Sequence, residues 1–274
     1  MLFNKRTGRA LVFVDYEHWL VSYDKQFHLR PDLISWKEEI LQQYPRAEFY
    51  FFADFTNERL QTQVIEIRAV TNHIIETRNA TLGYKKDMTD FIMLDYIYQM
   101  AMDKHAPDTF ILFTGDGHFQ SVVKFLIARC KKQVIVYGVR DAFSNQLKAV
   151  ATRWIEMPTT DQTQRGYYQM IINNLDYVAR HPKRRIISTF KGTVQTVADY
   201  NGVKAPLIEE ALQKMLDKGY VYTRKMRVGP RRSVSVLAAN WALLERDGLY
   251  RPAGTLAGND ARQSRRDRTN GKRS

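Results

Sequence analysis

Apolar residues in the first 157 positions fall into two alternating patterns. One is a short, unbroken run: Leu11-Val12-Phe13-Val14, Phe49-Tyr50-Phe51-Phe52, Phe110-Ile111-Leu112-Phe113 and Val134-Ile135-Val136-Tyr137. The other has helical spacing. Pro31 to Tyr44 carries Leu33, Ile34, Ile40 and Leu41, and Thr89 to Met102 carries Phe91, Leu94, Ile97 and Tyr98. Glu58 to Val70, Phe119 to Arg129 and Ala142 to Ala151 read as further helices. His73 to Thr77 and Trp154-Ile155 read as further strands. A strand covered on both faces is apolar throughout, whereas a half-exposed strand alternates. Unbroken runs separated by helices therefore predict an α/β fold: a Rossmann-like parallel sheet flanked by helices.

A different pattern follows. Residues 159–166 are polar and predict a linker. Tyr167 to Ala179, Thr193 to Tyr200 and Pro206 to Lys218 have helical periodicity, the last two closed by Asn201-Gly202 and Gly219. Val221 to Lys225 and Ser233 to Leu237 look like strands on either side of a basic turn. Three helices and a basic hairpin predict a small winged-helix-like domain over 167–250. Residues 251–274 have seven basic and two acidic residues and no apolar periodicity, which predicts a disordered basic tail.

Charge sharpens this division. The 274 residues carry 42 Lys and Arg against 29 Asp and Glu, a net charge of +13. Residues 1–160 hold 20 basic and 19 acidic residues, and residues 161–274 hold 22 and 10. A net charge of +12 in the second part favours a polyanionic partner. Arg224, Lys225, Arg227, Arg231 and Arg232 would lie along the hairpin and contact phosphates. No run of about 18 apolar residues occurs, so no membrane span is expected, and the first residues lack a secretory signal pattern. A single cysteine, Cys130, excludes an internal disulfide, and the expected location is cytoplasmic.

Three carboxylates fall where open α/β sheets bind ligands, beyond the C-terminal ends of strands. Asp15 ends the first run, Asp54 the second, and Asp116 follows the Phe110 run within Thr114-Gly115-Asp116-Gly117-His118-Phe119. Asp90 opens the helix at Thr89. Asp95 lies five residues further on, roughly 140° round the helix from Asp90 at about 100° per residue. Clustered carboxylates repel unless a cation joins them, and oxygen ligands suit Mg²⁺ or Mn²⁺. Competing phosphate devices are absent: there is neither a G-x-x-x-x-G-K-[ST] loop nor a G-x-G-x-x-G turn.

The segments Val12-Phe13-Val14-Asp15-Tyr16-Glu17-His18-Trp19, Lys86 with Thr89-Asp90-Phe91, and Thr114-Gly115-Asp116-Gly117-His118-Phe119 resemble the three motifs of NYN domains. These are PIN-like ribonuclease domains, and the resemblance covers about residues 9–157 of a domain at 1–158. It implies a Mg²⁺- or Mn²⁺-dependent endoribonuclease in which Asp15, Asp90 and Asp116 bind metal and Lys86 sits near substrate phosphate. Asp95 and His118 are further catalytic candidates. The chain departs from the family at His18, where Asn is usual, and at His118, where Asp is usual. Expected partners are RNA, with DNA open to the winged-helix-like part and a homodimer allowed. The alternative is a non-enzymatic nucleic-acid-binding regulator with a vestigial site.

Overall fold

The computed structural model describes residues 8–77, 88–184, 186–229 and 232–251, and the chain divides into two compact units at Thr160 and Asp161. Among the described residues, the first unit holds six strands: β1 (Arg9–Asp15), β2 (Arg46–Ala53), β3 (His73–Glu76), β4 (Thr109–Phe113), β5 (Gln133–Val139) and β6 (Arg153–Met157). They form one parallel sheet in the order β3-β2-β1-β4-β5-β6. The expected α/β architecture is therefore present. Central β1 and β4 are buried on both faces, which is why their sequences do not alternate.

The helices α1 (Tyr16–Phe27), α2 (Leu33–Gln43), α3 (Glu58–Gln61), α4 (Val64–Arg68), α5 (Thr89–Met102), α6 (Gln120–Ala128) and α7 (Asn145–Val150) flank this sheet. On one face Trp19 of α1 stacks on Phe113 at 3.8 Å between ring centroids and meets Trp36 of α2 edge-on at 5.0 Å. On the other face Met93 and Ile97 of α5 pack with Val122, Val123 and Leu126 of α6 around Phe13 and Phe110. Truncating a buried indole costs roughly 3–5 kcal/mol, a large share of the total stability of an ordinary domain.

The second unit contains α8 (Thr160–Arg180), α9 (Phe190–Asn201), α10 (Ala205–Asp217), β7 (Val221–Gly229), β8 (Arg232–Ala239) and α11 (Trp241–Arg246). Its core is separate: Ile171, Ile172 and Leu175 of α8, Val194 and Val197 of α9, Ile208, Leu212 and Met215 of α10, and Val236 of β8 are buried. The strands β7 and β8 pair antiparallel. The Leu237 amide donates to the Ser188 carbonyl at 2.7 Å, so the chain between α8 and α9 joins the base of this hairpin.

Several elements differ from expectation. Residues 160–166, expected as a linker, are the first turns of α8. Asp161 sits in that first turn, where the helix dipole favours a carboxylate, and Gln162, Gln164 and Arg165 are good helix formers. The single helix expected over 58–70 is two short helices, α3 and α4. Neither α1 nor α11 is among the expected elements, and the hairpin strands run longer than the predicted segments. The expected basic tail lies, apart from Arg251, outside the described residues.

Candidate metal centre

The strand order creates one place where neighbouring connections diverge. From β1 the chain moves to β2 on one side, while β4 lies on the other. Such a switch point opens a crevice at the C-terminal strand ends. Val14 pairs with Phe113, so Asp15 and the Thr114-Gly115-Asp116 segment leave the sheet side by side.

Each acid there is set at a helix start. Asp15 caps α1, and its Oδ1 accepts from the His18 amide at 3.0 Å. Asp116 caps a 3-10 turn over Gly117–Phe119, and its Oδ1 accepts from the His118 amide at 2.8 Å. Buried Phe119 anchors that turn. The Asp116 amide donates to Thr114 Oγ1 at 3.2 Å, and the Ser144 amide donates to the Gly115 carbonyl at 2.9 Å. Asp90 lies in the first turn of α5. The start of α5 is tied to the strand ends through buried Thr89, whose hydroxyl is 2.8 Å from that of Thr77. In turn the Thr77 amide donates to the Ala53 carbonyl at the end of β2. Partial positive charge at helix starts favours carboxylates in these places.

Among the described residues, Asp90, Asp116 and His118 form a cluster whose ligand atoms all lie within 4.8 Å of one another. His118 Nδ1 is 3.2 Å from Asp116 Oδ1 and 4.0 Å from Asp90 Oδ2. The imidazole is largely exposed, and both carboxylates are partly accessible. Two ionised carboxylates within 4.8 Å of one another repel, the less so where water reaches them. A positive charge between them relieves that cost. Two carboxylates and one imidazole suit a divalent cation of the Mg²⁺ or Mn²⁺ class, with the nitrogen donor more readily accepted by Mn²⁺.

The other sequence candidates are placed as follows. Asp15, buried at the end of β1, is outside the cluster of three. Asp95 is not drawn in either: it is exposed on α5 and accepts from Gln99 Nε2 at 2.7 Å. The five-residue step turns it away from Asp90. Asp54 closes a local turn by accepting from the Thr56 amide at 3.0 Å. Lys86 and Arg231 lie outside the described residues. Arg224, Lys225, Arg227 and Arg232 are exposed on the hairpin of the second unit.

His18 is the neighbour that residue-by-residue reading undervalued. A Cβ built on Gly115 would lie 2.4 Å from His18 Nε2, so the ring packs directly against the backbone before Asp116. Burial holds the His18 pKa below its usual value, while Asp116 and the Ala142 carbonyl pull the other way. The ring is therefore neutral near pH 7. The available signal was the departure from the NYN-like motif at this position, three residues after Asp15.

The profile of the NYN domain matches residues 9–158, more than half of the chain. The chain belongs to the NYN domain family. Its α/β unit thus has a nuclease-like fold with an acidic cluster able to take a metal. A crystal structure of a protein of unknown function from Vibrio parahaemolyticus is similar, with a TM-score of 0.51 and 21% identity. The similarity covers 57% of this chain and 97% of that one, and it concerns the fold alone. No curated protein matches the chain. No helix among the described residues is long and apolar enough to cross a membrane.

Proposed function

We propose that the chain is a metal-dependent endoribonuclease whose NYN unit hydrolyses RNA phosphodiesters and whose basic second unit holds the RNA. The observation that carries this reading is the cluster of Asp90, Asp116 and His118 at the switch crevice. Asp90 and Asp116 would hold Mg²⁺ or Mn²⁺, with Asp15 at the adjacent strand end as the third acid. A cation held there lowers the pKa of a bound water and offsets charge developing on the phosphodiester. His118 Nδ1 would either add a nitrogen ligand or position the attacking water. The order of helices and hairpin in the second unit supports a winged-helix-like RNA-binding module. Such an activity, in a chain with a single cysteine, suits the cytoplasm.

The test is cleavage of end-labelled RNA pools by the full chain in Mg²⁺, in Mn²⁺ and in EDTA. Metal-dependent fragments are expected, and Asp116→Asn should reduce them at least a hundredfold while RNA binding persists. Equal cleavage by this variant would sink the assignment. One observation favours a second reading. The cluster offers two carboxylates and an imidazole, with His118 standing where the NYN motif usually has a further Asp. On that reading the protein is a nucleic-acid-binding regulator. It predicts a salt-sensitive gel shift unaffected by EDTA and no fragments in any metal.

A further inference from the structure

The second unit offers two surfaces to a polyanion, and their chemistry is opposite. Strands β7 and β8 carry Arg224, Lys225, Arg227 and Arg232 and no Asp or Glu. Helix α10 has Glu209, Glu210 and Asp217 against Lys214, a net charge of −2. Its exposed groups also satisfy one another. Lys214 pairs with Glu210 at 2.8 Å, and Gln213 donates to Asp217 at 2.9 Å. In helix-turn-helix proteins the helix at this place in the chain order enters a nucleic-acid groove. Here it would present carboxylates to phosphates.

Strand register sorts the hairpin into faces. Directly opposed residues share a face of an antiparallel pair. Lys225 pairs with Ser235 and Arg227 with Ser233, so these four share one face. All four are exposed, whereas Val221 and Leu237, on the same face nearer the base, are buried. The face therefore changes from core at its base to cations and hydroxyls on its outer half. The opposite face carries Arg224 and Met226 against Val236 and Val234, and Val236 is buried. Two cations and two small hydroxyls, with no carboxylate to compete, form a row of donors suited to phosphate oxygens.

We propose that the second unit grips RNA by its phosphates on the outer hairpin face, through Lys225, Arg227, Ser233 and Ser235, and not along α10. This rests on RNA being the partner, as read above, and goes beyond it in naming the surface. The grip is independent of base sequence, because phosphate contacts carry no sequence information.

Fluorescence anisotropy on the full chain in EDTA tests this, with a labelled oligouridylate as probe and salt varied. Lys225→Gln with Arg227→Gln should weaken binding about tenfold and flatten the salt slope by about 1.4, at roughly 0.7 for each phosphate no longer held. Lys225→Arg with Arg227→Lys should keep the affinity. Gln213→Ala with Lys214→Ala on α10 should stay within about twofold of the parent chain. A matched DNA strand should compete, since the grip is on phosphate. The proposal is overturned if the α10 pair loses binding while the hairpin pair does not, or if DNA fails to compete. Cleavage is scored separately. Hairpin-dependent binding without metal-dependent cleavage would remove the nuclease reading and leave the RNA surface standing. Cleavage with a hairpin variant that binds normally would do the reverse.

Discussion

At Gly115 an added methyl group would lie 2.0 Å from the Ala142 carbonyl oxygen and 2.4 Å from His18 Nε2. Backbone cannot give by that much without moving Asp116, the next residue. Gly115→Ala is expected to destabilise the chain by about 1–3 kcal/mol through overpacking, and to lower cleavage with it. A thermal melt checks the first expectation, at roughly 2–4 °C for each kcal/mol. His18 supplies a pH prediction. Its folded-state pKa lies below the unfolded value of 6.5, because burial disfavours the charged ring. The unfolded chain therefore takes up the proton first as pH falls. Stability from the neutral ring is complete above about pH 6.5 and is lost as pH drops towards the folded pKa. His18→Asn should lose less melting temperature than the parent chain between about pH 7.5 and about pH 5.5. Equal losses in both proteins would show that the ring does not titrate this way. Asp90 and Asp116 were legible as site residues because both fall on the side of the sheet where open α/β folds bind ligands, although a carboxylate at a helix start also serves the helix itself. His18 was legible only as a family departure. Its role depends on packing against Gly115 and Ala142, which are remote in sequence, and no local pattern encodes that approach.

The sheet was readable from its elements because burial on both faces removes polar alternation, and β1, β2, β4 and β5 all carry that mark. Helix α1 was missed although Tyr16, Trp19, Leu20, Tyr23 and Phe27 keep helical spacing, because four of these five are aromatic and poor helix formers in isolation. Packing against the sheet and capping by Asp15 outweigh that propensity. The 58–70 segment failed in the opposite direction. Helical spacing was present, but α3 ends at Gln61 and α4 begins at Val64. The helix caps give a test that separates support from chemistry. Asp32 caps α2, accepting from the Ser35 amide at 3.0 Å and from its hydroxyl at 2.7 Å. Asp32→Ala should cost about 0.5–2 kcal/mol, read as a lower denaturant midpoint, with the cleavage rate per folded molecule unchanged. Asp15→Ala removes a cap of the same kind from α1 and a proposed metal acid at once. It should show a similar loss of stability and a cleavage loss of at least a hundredfold. Parallel behaviour of the two variants in cleavage would reduce Asp15 to a cap.

Across the whole molecule, charge and chemistry are partitioned. Residues 1–160 are close to neutral and hold the acidic cluster, whereas residues 161–274 carry +12. An acidic crevice does not attract a polyanion, so binding energy for RNA has to come from the basic part. Contacts to phosphates that take no part in the reaction are made equally in the ground state and the transition state, and such uniform binding changes KM without changing kcat. Salt weakens phosphate contacts by restoring counterions, with a log–log slope of about −0.7 for each phosphate on a single strand. The proposed division of labour thus has a kinetic signature. Raising monovalent salt from about 50 mM to about 200 mM should raise KM about sevenfold if two phosphates are held, and further for each additional one, while kcat stays within about twofold. In the Lys225→Gln, Arg227→Gln chain the KM should start higher and respond less to salt, again with little change in kcat. A fall in kcat at constant KM would mean that salt acts at the metal centre. The basic unit would then contribute nothing to substrate capture, and the +12 would be a solvated surface.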